Sequence, residues 1–252
     1  MCDNVVLLPA NTKFDAGCVS EKIKSDIDFS VVVLSAPTVA SQMKITAIDS
    51  ESLAIEVFNS QWDCLLLGAI FNCDVMFYLQ SDKPIEQACE ARYINVTDYH
   101  LYGILNDVYQ LSNEDEEWIK SNYNRAQKLL DNDLFRTAIH SMASYRWHSH
   151  PRVRLAIIWF GIEALFKIES EISFRLSLYV AKFLATNDRN KEKETFDKVK
   201  KLYNSRSAAV HGGKIKDDPN NLVSESASIL NKLIRRCSEL GHLPNTDKLL
   251  YE

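Results

Sequence analysis

The order of apolar and polar residues predicts two kinds of structure along this chain. Segments 43–48 and 53–58 alternate between apolar and polar residues, as strands with one buried face do. Residues 49–51 lie between them and are expected to form a turn. Segments 29–34 and 74–79 are further strand candidates, because they are rich in Val, Phe and Tyr. Antiparallel sheet is therefore expected in this part of the chain.

After Leu111 the apolar residues recur with the period of an α-helix. Ser112 is a candidate N-cap, and acidic residues follow it, as is favourable at the start of a helix. Helices are predicted at about 114–130, 132–147, 152–168, 172–186, 191–210 and 221–240. The expected fold class is α+β: a β-rich N-terminal domain of unknown role over residues 1–111, followed by a C-terminal all-helical bundle over residues 112–252.

Charge is distributed unevenly between these two parts. The 252 residues carry a net charge of −5, which on its own argues against a nucleic-acid partner. Residues 1–118 hold 6 Lys and Arg against 19 Asp and Glu, whereas residues 119–252 hold 23 against 15. Between 189 and 216 there are nine basic residues and three acidic ones. This stretch is either a local phosphate-binding surface or an ordinary solvated helix face.

The cysteines and the apolar stretches bear on location. The six cysteines are scattered without a Cys-x-x-Cys pair, which favours reduced thiols in a cytoplasmic protein over a disulfide or zinc framework. Residues 1–8 lack the features of a signal peptide. The longest apolar stretch, 62–79, contains Asp63, Asn72 and Asp74, so a membrane span is not expected.

Two charged residues fall on apolar helix faces. Glu163 lies within a predicted helix that is apolar nearly all round, and a buried carboxylate requires a cationic partner. Arg206 falls on the apolar stripe of a later helix, three residues after Tyr203. Glu163 is therefore expected to pair with Arg206 or with Arg175. Such a pair is either purely structural or part of a catalytic site.

His211 is the candidate proton-transfer group. It is followed by Gly212 and Gly213, and a glycine pair after a periodic helix indicates the C-terminal end of that helix. The helix end favours a protonated imidazole and Arg206 opposes it, so that the ring could be kept near neutrality. The alternative is a histidine that only caps the helix.

Three segments resemble the ApeA-like branch of the HEPN superfamily. Residues 201–212 read Lys-Leu-Tyr-Asn-Ser-Arg-Ser-Ala-Ala-Val-His-Gly and resemble its Tyr-x-x-Arg-Ser-x-x-Val-His-Gly signature. Residues 159–166 resemble its Trp-x-x-x-Glu-x-Leu-Phe helix, and Arg175 lies where the branch often has an arginine. Ser207 stands where many nuclease members have asparagine, and serine is common there in this branch. The resemblance covers about residues 115–240.

The resemblance implies a helical HEPN bundle that acts as a dimeric, metal-independent endoribonuclease without a cofactor. Arg206 would hold the scissile phosphate and His211 would transfer protons, while the ribose 2′-hydroxyl attacks and leaves a cyclic phosphate. Supporting roles would fall to Glu163, Arg175, Tyr203 and Ser207. Such enzymes act in toxin–antitoxin pairs and antiphage defence, so the implied partners are RNA, a second copy and an antitoxin or regulatory protein.

Other functions remain open from the sequence. Some HEPN domains have lost activity and serve as dimerisation modules or bind RNA or protein. A regulator that does not bind nucleic acid and senses a signal through the N-terminal domain is a third possibility. His140, His148 and His150 have no carboxylate or cysteine companion at zinc-ligand spacing, so they are expected in a solvent-exposed interhelix region rather than at a metal.

Overall fold

The computed structural model describes residues 5–10, 14–26, 28–75, 77–97, 109–168, 171–185, 188–214 and 217–251. Contacts between residues divide the chain into two compact units. Unit 1 comprises residues 1–62 and 75–108, and unit 2 comprises residues 63–74 and 109–252. The boundary between residues 108 and 109 lies close to the boundary predicted from the sequence at residue 111. The assignment of residues 63–74 to unit 2 was not predicted.

Unit 1 contains short elements. Its strands are β1 (Val5–Pro9), β2 (Ser41–Ile45), β3 (Leu79–Ser81) and β4 (Ile94–Val96). They form two antiparallel pairs, β1 with β2 and β3 with β4. Its helices are α1 (Glu21–Lys24), α2 (Phe29–Ser35) and the first part of α3 (Ser50–Phe71). Single 3₁₀ turns occur at Ala16–Cys18 and Ala36–Thr38, and a longer 3₁₀ segment with a kink at Gln87 spans Ile85–Glu90.

The prediction of a β-rich N-terminal domain, and with it the α+β fold class, is wrong, because the chain is mostly helical in the part that the structure describes. Segment 29–34 is helix α2, and segment 53–58 lies inside helix α3. Strand β2 overlaps segment 43–48 only as far as Ile45, and of the described residues in segment 74–79 only Leu79 is in a strand.

The alternation of apolar and polar residues in segment 53–58 does not reflect a strand with one buried face. The apolar residues Ile55 and Phe58 are 54% and 65% exposed, so they do not share a buried sheet face. Residues 49–51, predicted as a turn, form the start of α3 instead: the Asp49 carboxylate accepts a hydrogen bond from the Ser52 amide at 2.8 Å, as an N-cap residue does. No glycine or proline interrupts residues 38–67, so the helix can continue into the buried segment that ends at Phe71.

Unit 1 has a small core and a cross-link. The core contains buried apolar residues from α1, α2, β4 and the segments beside them: Val19, Ile23, Val32, Ala88, Ala91 and Ile94. A disulfide joins Cys18 to Cys89. The expectation that all cysteines are reduced thiols is therefore wrong for this pair. The two cysteines are 71 residues apart in the sequence, so no local spacing motif indicated that they pair. Cys64, Cys73 and Cys237 are free thiols.

Unit 2 is a helical bundle, and the six helices predicted for it are confirmed. They are α4 (Asn113–Lys128), α5 (Asp133–Ser144), α6 (Pro151–Phe166), α7 (Ile172–Ala185), α8 (Arg189–Val210) and α9 (Pro219–Leu240), followed by α10 (Thr246–Tyr251). Short 3₁₀ turns extend α4 at Leu129–Asp131 and α5 at Tyr145–Trp147. Ser112 caps α4 in a reciprocal capping box with Asp115, as its position predicted.

Helix α6 lies at the centre of the bundle and packs against α5, α8 and α9. Trp159, Ile158 and Ile162 are fully buried there, but the helix is not buried on every side as its all-round apolar sequence predicted, since Val153 and Phe160 are 41% and 61% exposed. Gly161 permits the close approach of its neighbours, since a Cβ atom at this position would lie 2.7 Å from the Ser141 Cβ of α5 and 3.1 Å from Leu230 of α9. Glu163, two residues later, is thus held on a tightly packed part of the helix.

Residues 63–74 belong to unit 2 through polar contacts as well as apolar ones. The buried Asp63 carboxylate accepts hydrogen bonds from Tyr123 at 2.8 Å and Gln127 at 2.6 Å. The Asn231 amide of α9 donates to the carbonyls of Ala69 and Ile70. No helix within the described residues has the length and apolar character needed to cross a membrane.

Candidate functional site

Helices α6 and α8 bring Glu163 and Arg206 together. The Arg206 Nη2 atom lies 3.0 Å from the Glu163 Oε1 atom, and the two side chains are 18% and 29% exposed. The predicted pairing of Glu163 is confirmed, with Arg206 as the partner. The contact is an ion pair rather than an aligned hydrogen bond. Arg206 Nε and Glu163 Oε1 are both buried without a hydrogen-bond partner among the described residues.

Aromatic rings form one wall of this ion pair. The Arg206 guanidinium lies 5.5 Å from the centre of the Tyr203 ring, and the Tyr203 ring meets Trp159 edge to face at 5.3 Å. The Trp159 indole in turn donates a hydrogen bond to the Ser226 hydroxyl of α9 at 3.1 Å. Tyr203 therefore connects the guanidinium to the buried core of the bundle, which restricts where Arg206 can point.

The surroundings shift the acidity of two groups. Burial raises the pKa of Glu163 above its ordinary value of 4.5, and the positive charge of Arg206 only partly opposes this rise. Burial and the neighbouring Glu163 carboxylate raise the pKa of Tyr203, again against the influence of Arg206. The ion pair thus does not fully offset the unfavourable burial of the Glu163 carboxylate.

The remaining predicted site residues lie apart from this ion pair. Arg175 of α7 is 45% exposed and pairs with Glu171, with 3.3 Å between Nε and Oε2, so it does not act as the partner of Glu163. Ser207 contributes its backbone carbonyl, which accepts the His211 amide at 3.0 Å. His211 caps the C-terminus of α8, and its side chain is exposed.

Gly212 and Gly213 complete the end of α8. Gly212 has a φ of 75°, the left-handed conformation that glycine adopts without strain. The Gly213 amide donates to the Ala208 carbonyl at 2.7 Å, which closes the turn around His211. The prediction that this glycine pair ends the helix is confirmed.

Arg152 is the residue of this region that sequence reasoning missed. It is the second residue of α6, and its half-buried guanidinium donates to the carbonyls of Ala209 at 2.8 Å and Gly213 at 3.0 Å. A signal was present, because Arg152 precedes Glu163 by eleven residues, or about three helical turns, and shares its face of α6. The helix that carries the partner of Arg206 therefore also holds the turn that carries His211.

The surface beside Arg152 is basic. A shallow depression of ≈ 390 Å³ is lined by His150, Pro151, Arg152, Lys214 and Pro219. His148 and His150 are exposed in the connection before α6, where His150 Nδ1 accepts the Arg152 amide, and His140 is exposed on α5. All three histidines are exposed as expected, but His140 lies within α5 and not in an interhelix region. No group of three His, Cys, Asp or Glu side chains suited to a metal ion occurs among the residues that the structure describes.

Comparisons with protein-family models, with curated proteins and with solved structures found no match to this chain.

Proposed function

We propose that this chain is a HEPN-type, metal-independent endoribonuclease of the toxin or antiphage-defence kind, and that it acts on RNA as a homodimer. The observation that supports this most directly is the arrangement of helix α8. Its Arg206 pairs with Glu163 on α6 at 3.0 Å, and its exposed His211 follows at the C-terminal end. Arg206 and His211 are thus carried by a single helix, five residues apart.

The proposed reaction is an internal transesterification. The ribose 2′-hydroxyl attacks the adjacent phosphorus, the bond from phosphorus to the 5′-oxygen breaks, and the products carry a 2′,3′-cyclic phosphate and a 5′-hydroxyl. One group must accept the 2′-hydroxyl proton and another must protonate the leaving oxygen. Arg206 would stabilise the negative charge that develops on the phosphate, and His211 would transfer a proton.

A twofold dimer would supply the second histidine. Arg206 and His211 are five residues apart, so their side chains leave the helix at about 140° to one another, and a single chain does not direct both to one point. The two helices that carry the site also expose apolar side chains: Val153, Phe160 and Val210 are 41%, 61% and 45% exposed. Covering these side chains with a second copy would remove apolar area from water.

One observation favours a non-catalytic HEPN module that dimerises or binds RNA or protein. The Arg206 side chain is only 18% exposed, and its guanidinium is already paired with Glu163. An arginine in this position can stabilise the bundle without contacting a phosphate. We keep this as the second candidate function, to be decided by the presence or absence of cleavage.

The test is cleavage of total RNA in the presence of EDTA, with sequencing of the new ends. We expect the wild type to produce cyclic-phosphate ends, and we expect His211→Ala to abolish them while the protein stays dimeric in light scattering. His140→Ala is the matched control, because His140 is also an exposed histidine of unit 2, and it should cleave normally. Undiminished cleavage by His211→Ala would refute this mechanism, and an inactive wild type would favour the interaction module.

The toxin assignment and the location belong to the same proposal. We expect induced expression to arrest growth of a bacterial host in the wild type but not in His211→Ala, and an antitoxin or regulatory protein to relieve the arrest. A cytoplasmic location would give access to RNA, whereas the Cys18–Cys89 disulfide argues for an oxidising compartment. Alkylation of thiols in intact cells decides this, since Cys18 and Cys89 react only if they are reduced.

A further inference from the structure

The guanidinium of Arg152 joins the start of α6 to the end of α8. Its Nη1 atom donates to the Ala209 carbonyl at 2.8 Å, and the Ala208 carbonyl lies 3.5 Å away. Its Nη2 atom donates to the Gly213 carbonyl at 3.0 Å. One planar group therefore holds the last turn of α8 and Gly213, three residues past the end of the helix, and His211 and Gly212 lie between these two attachment points.

The end of α8 provides acceptors that suit such a group. The last carbonyls of an α-helix have no partner within the helix and carry a partial negative charge, so a cation is favourable there. Hydrogen bonds from a charged donor are roughly twice as strong as neutral ones. The fixed fork of a guanidinium can also reach two carbonyls in defined directions, which a lysine ammonium cannot do in the same way.

Without this contact, little would fix the position of His211. Gly212 and Gly213 follow it, and glycine allows more backbone conformations than any other residue. Within the turn, the amides of His211 and Gly213 donate to carbonyls of the same helix, which ties the turn to α8 but not to α6. Arg152 provides the link between this turn and the central helix of the bundle.

We propose that Arg152 is a positioning residue that fixes His211 relative to the Glu163–Arg206 pair. Helix α6 carries both contacts on one face, with Arg152 at its start holding the His211 turn and Glu163 about three turns later holding Arg206. Helix α6 thereby sets the relative placement of the two motif residues. This proposal rests on the proposed nuclease function for its catalytic consequence but not for its structural content.

Amide hydrogen exchange of full-length protein tests the structural content without any RNA. We expect the amides of His211 and Gly213 to exchange at least tenfold faster in Arg152→Gln, with an intermediate effect in Arg152→Lys. Arg154→Gln is the matched control, since Arg154 lies on the same helix and donates to the His148 carbonyl instead. Unchanged exchange at His211 and Gly213 in a folded Arg152→Gln would overturn the proposal. If Arg152→Gln does not fold, unchanged exchange at His211 and Gly213 in Arg152→Lys would overturn the proposal.

Cleavage kinetics test the catalytic consequence. A small misplacement of a catalytic group can reduce a rate about a hundredfold, so we expect kcat of Arg152→Gln to fall by that order. KM should change less than threefold, and Arg154→Gln should match the wild type. Faster exchange together with an unchanged kcat would overturn the positioning role. A wild type that cuts no RNA would refute the proposed function, while the exchange measurement would still decide whether Arg152 holds the turn.

Discussion

Glu163 and Arg206 differ in what their charges contribute to the folded state. The pKa of Glu163 is raised by burial despite the neighbouring guanidinium, so the folded protein binds a proton at this carboxyl more readily than the unfolded chain does. Ionisation of Glu163 therefore opposes folding above its raised pKa. This penalty is relieved as the pH falls through that pKa towards 4.5, the ordinary value. Arg206 reduces the penalty without removing it.

The first prediction follows from this difference. Arg206→Met should lower the free energy of unfolding by about 1–3 kcal/mol at pH 7, because it leaves a half-buried carboxylate without its cation. The loss should shrink at pH 4, where Glu163 becomes protonated. Chemical denaturation at both pH values measures this effect.

A double-mutant cycle provides the control for that prediction. Arg206→Met combined with Glu163→Gln should recover most of the loss at pH 7, because no buried charge then remains unpaired. If the Arg206→Met defect is the same at both pH values and is not relieved by Glu163→Gln, the loss has another cause, such as the missing contact with Tyr203.

Sequence patterns predicted the polar contacts of these residues only in part. The placement of Glu163 on an apolar face was sufficient to predict that it pairs with Arg206 or Arg175, because an isolated buried charge is costly. The choice between Arg206 and Arg175 depended on which side chain Glu171 engages, which is a local detail of α7. The role of Arg152 was not predicted, since its acceptors are backbone carbonyls of α8, and the only sequence signal was its place on the same face of α6 as Glu163.

Among the elements, α6 tolerates little increase in side-chain size where it contacts α5 and α9. Its neighbours α5 and α9 approach so closely at Gly161 that a methyl group has no room, with 2.7 Å to the Ser141 Cβ and 3.1 Å to Leu230. Protein interiors are packed to the density of organic crystals, so such a contact transmits strain to the whole helix. Arg152 and Glu163 lie on either side of this point along α6.

The second prediction concerns this contact. Gly161→Ala should lower the free energy of unfolding by about 1–2 kcal/mol, because overpacking costs about 1–3 kcal/mol and the better helix propensity of alanine returns about 1 kcal/mol at most. Denaturant unfolding measures the change. Adding Ser141→Gly, which removes the Cβ that clashes, should make the cost of Gly161→Ala clearly smaller than in the wild type, and additive effects would contradict the clash.

The helices of unit 2 were predictable because each is long and periodic, whereas the elements of unit 1 were not. Segment 29–34 is short and rich in β-branched residues, yet it forms α2, where only Val32 is deeply buried in the small core. The alternating pattern at 53–58 covers only six residues, whereas the helix that contains it continues to Phe71. The Asp49 cap, followed by residues 50–67 without glycine or proline, was the more informative signal.

At the scale of the whole molecule, the two units are stabilised differently. Unit 2 contains the large continuous core, which includes Trp159, Phe135 and Phe166 in fully buried positions. Among the described residues, the core of unit 1 consists of six buried residues, two of them alanines, and burial of so little apolar area stabilises a fold only weakly. A covalent link is expected to matter most in such a unit.

The last prediction follows from that contrast. In the chain-entropy description, a disulfide across a separation of 71 residues stabilises by about 4 kcal/mol, so reduction of Cys18–Cys89 should destabilise unit 1 by an amount of this order. Two of the six cysteines are joined, so the oxidised, denatured protein should titrate four thiols and the reduced protein six. Hydrogen exchange should accelerate on reduction in residues 14–26 and 77–97 and remain unchanged in α6 and α9.

The double variant Cys18→Ser with Cys89→Ser should reproduce this pattern without a reductant, whereas Cys73→Ser, which removes a free thiol, should not. Six titratable thiols after incubation with oxidised glutathione would contradict the cross-link, and equal acceleration in both units would show that the disulfide stabilises the chain as a whole rather than unit 1.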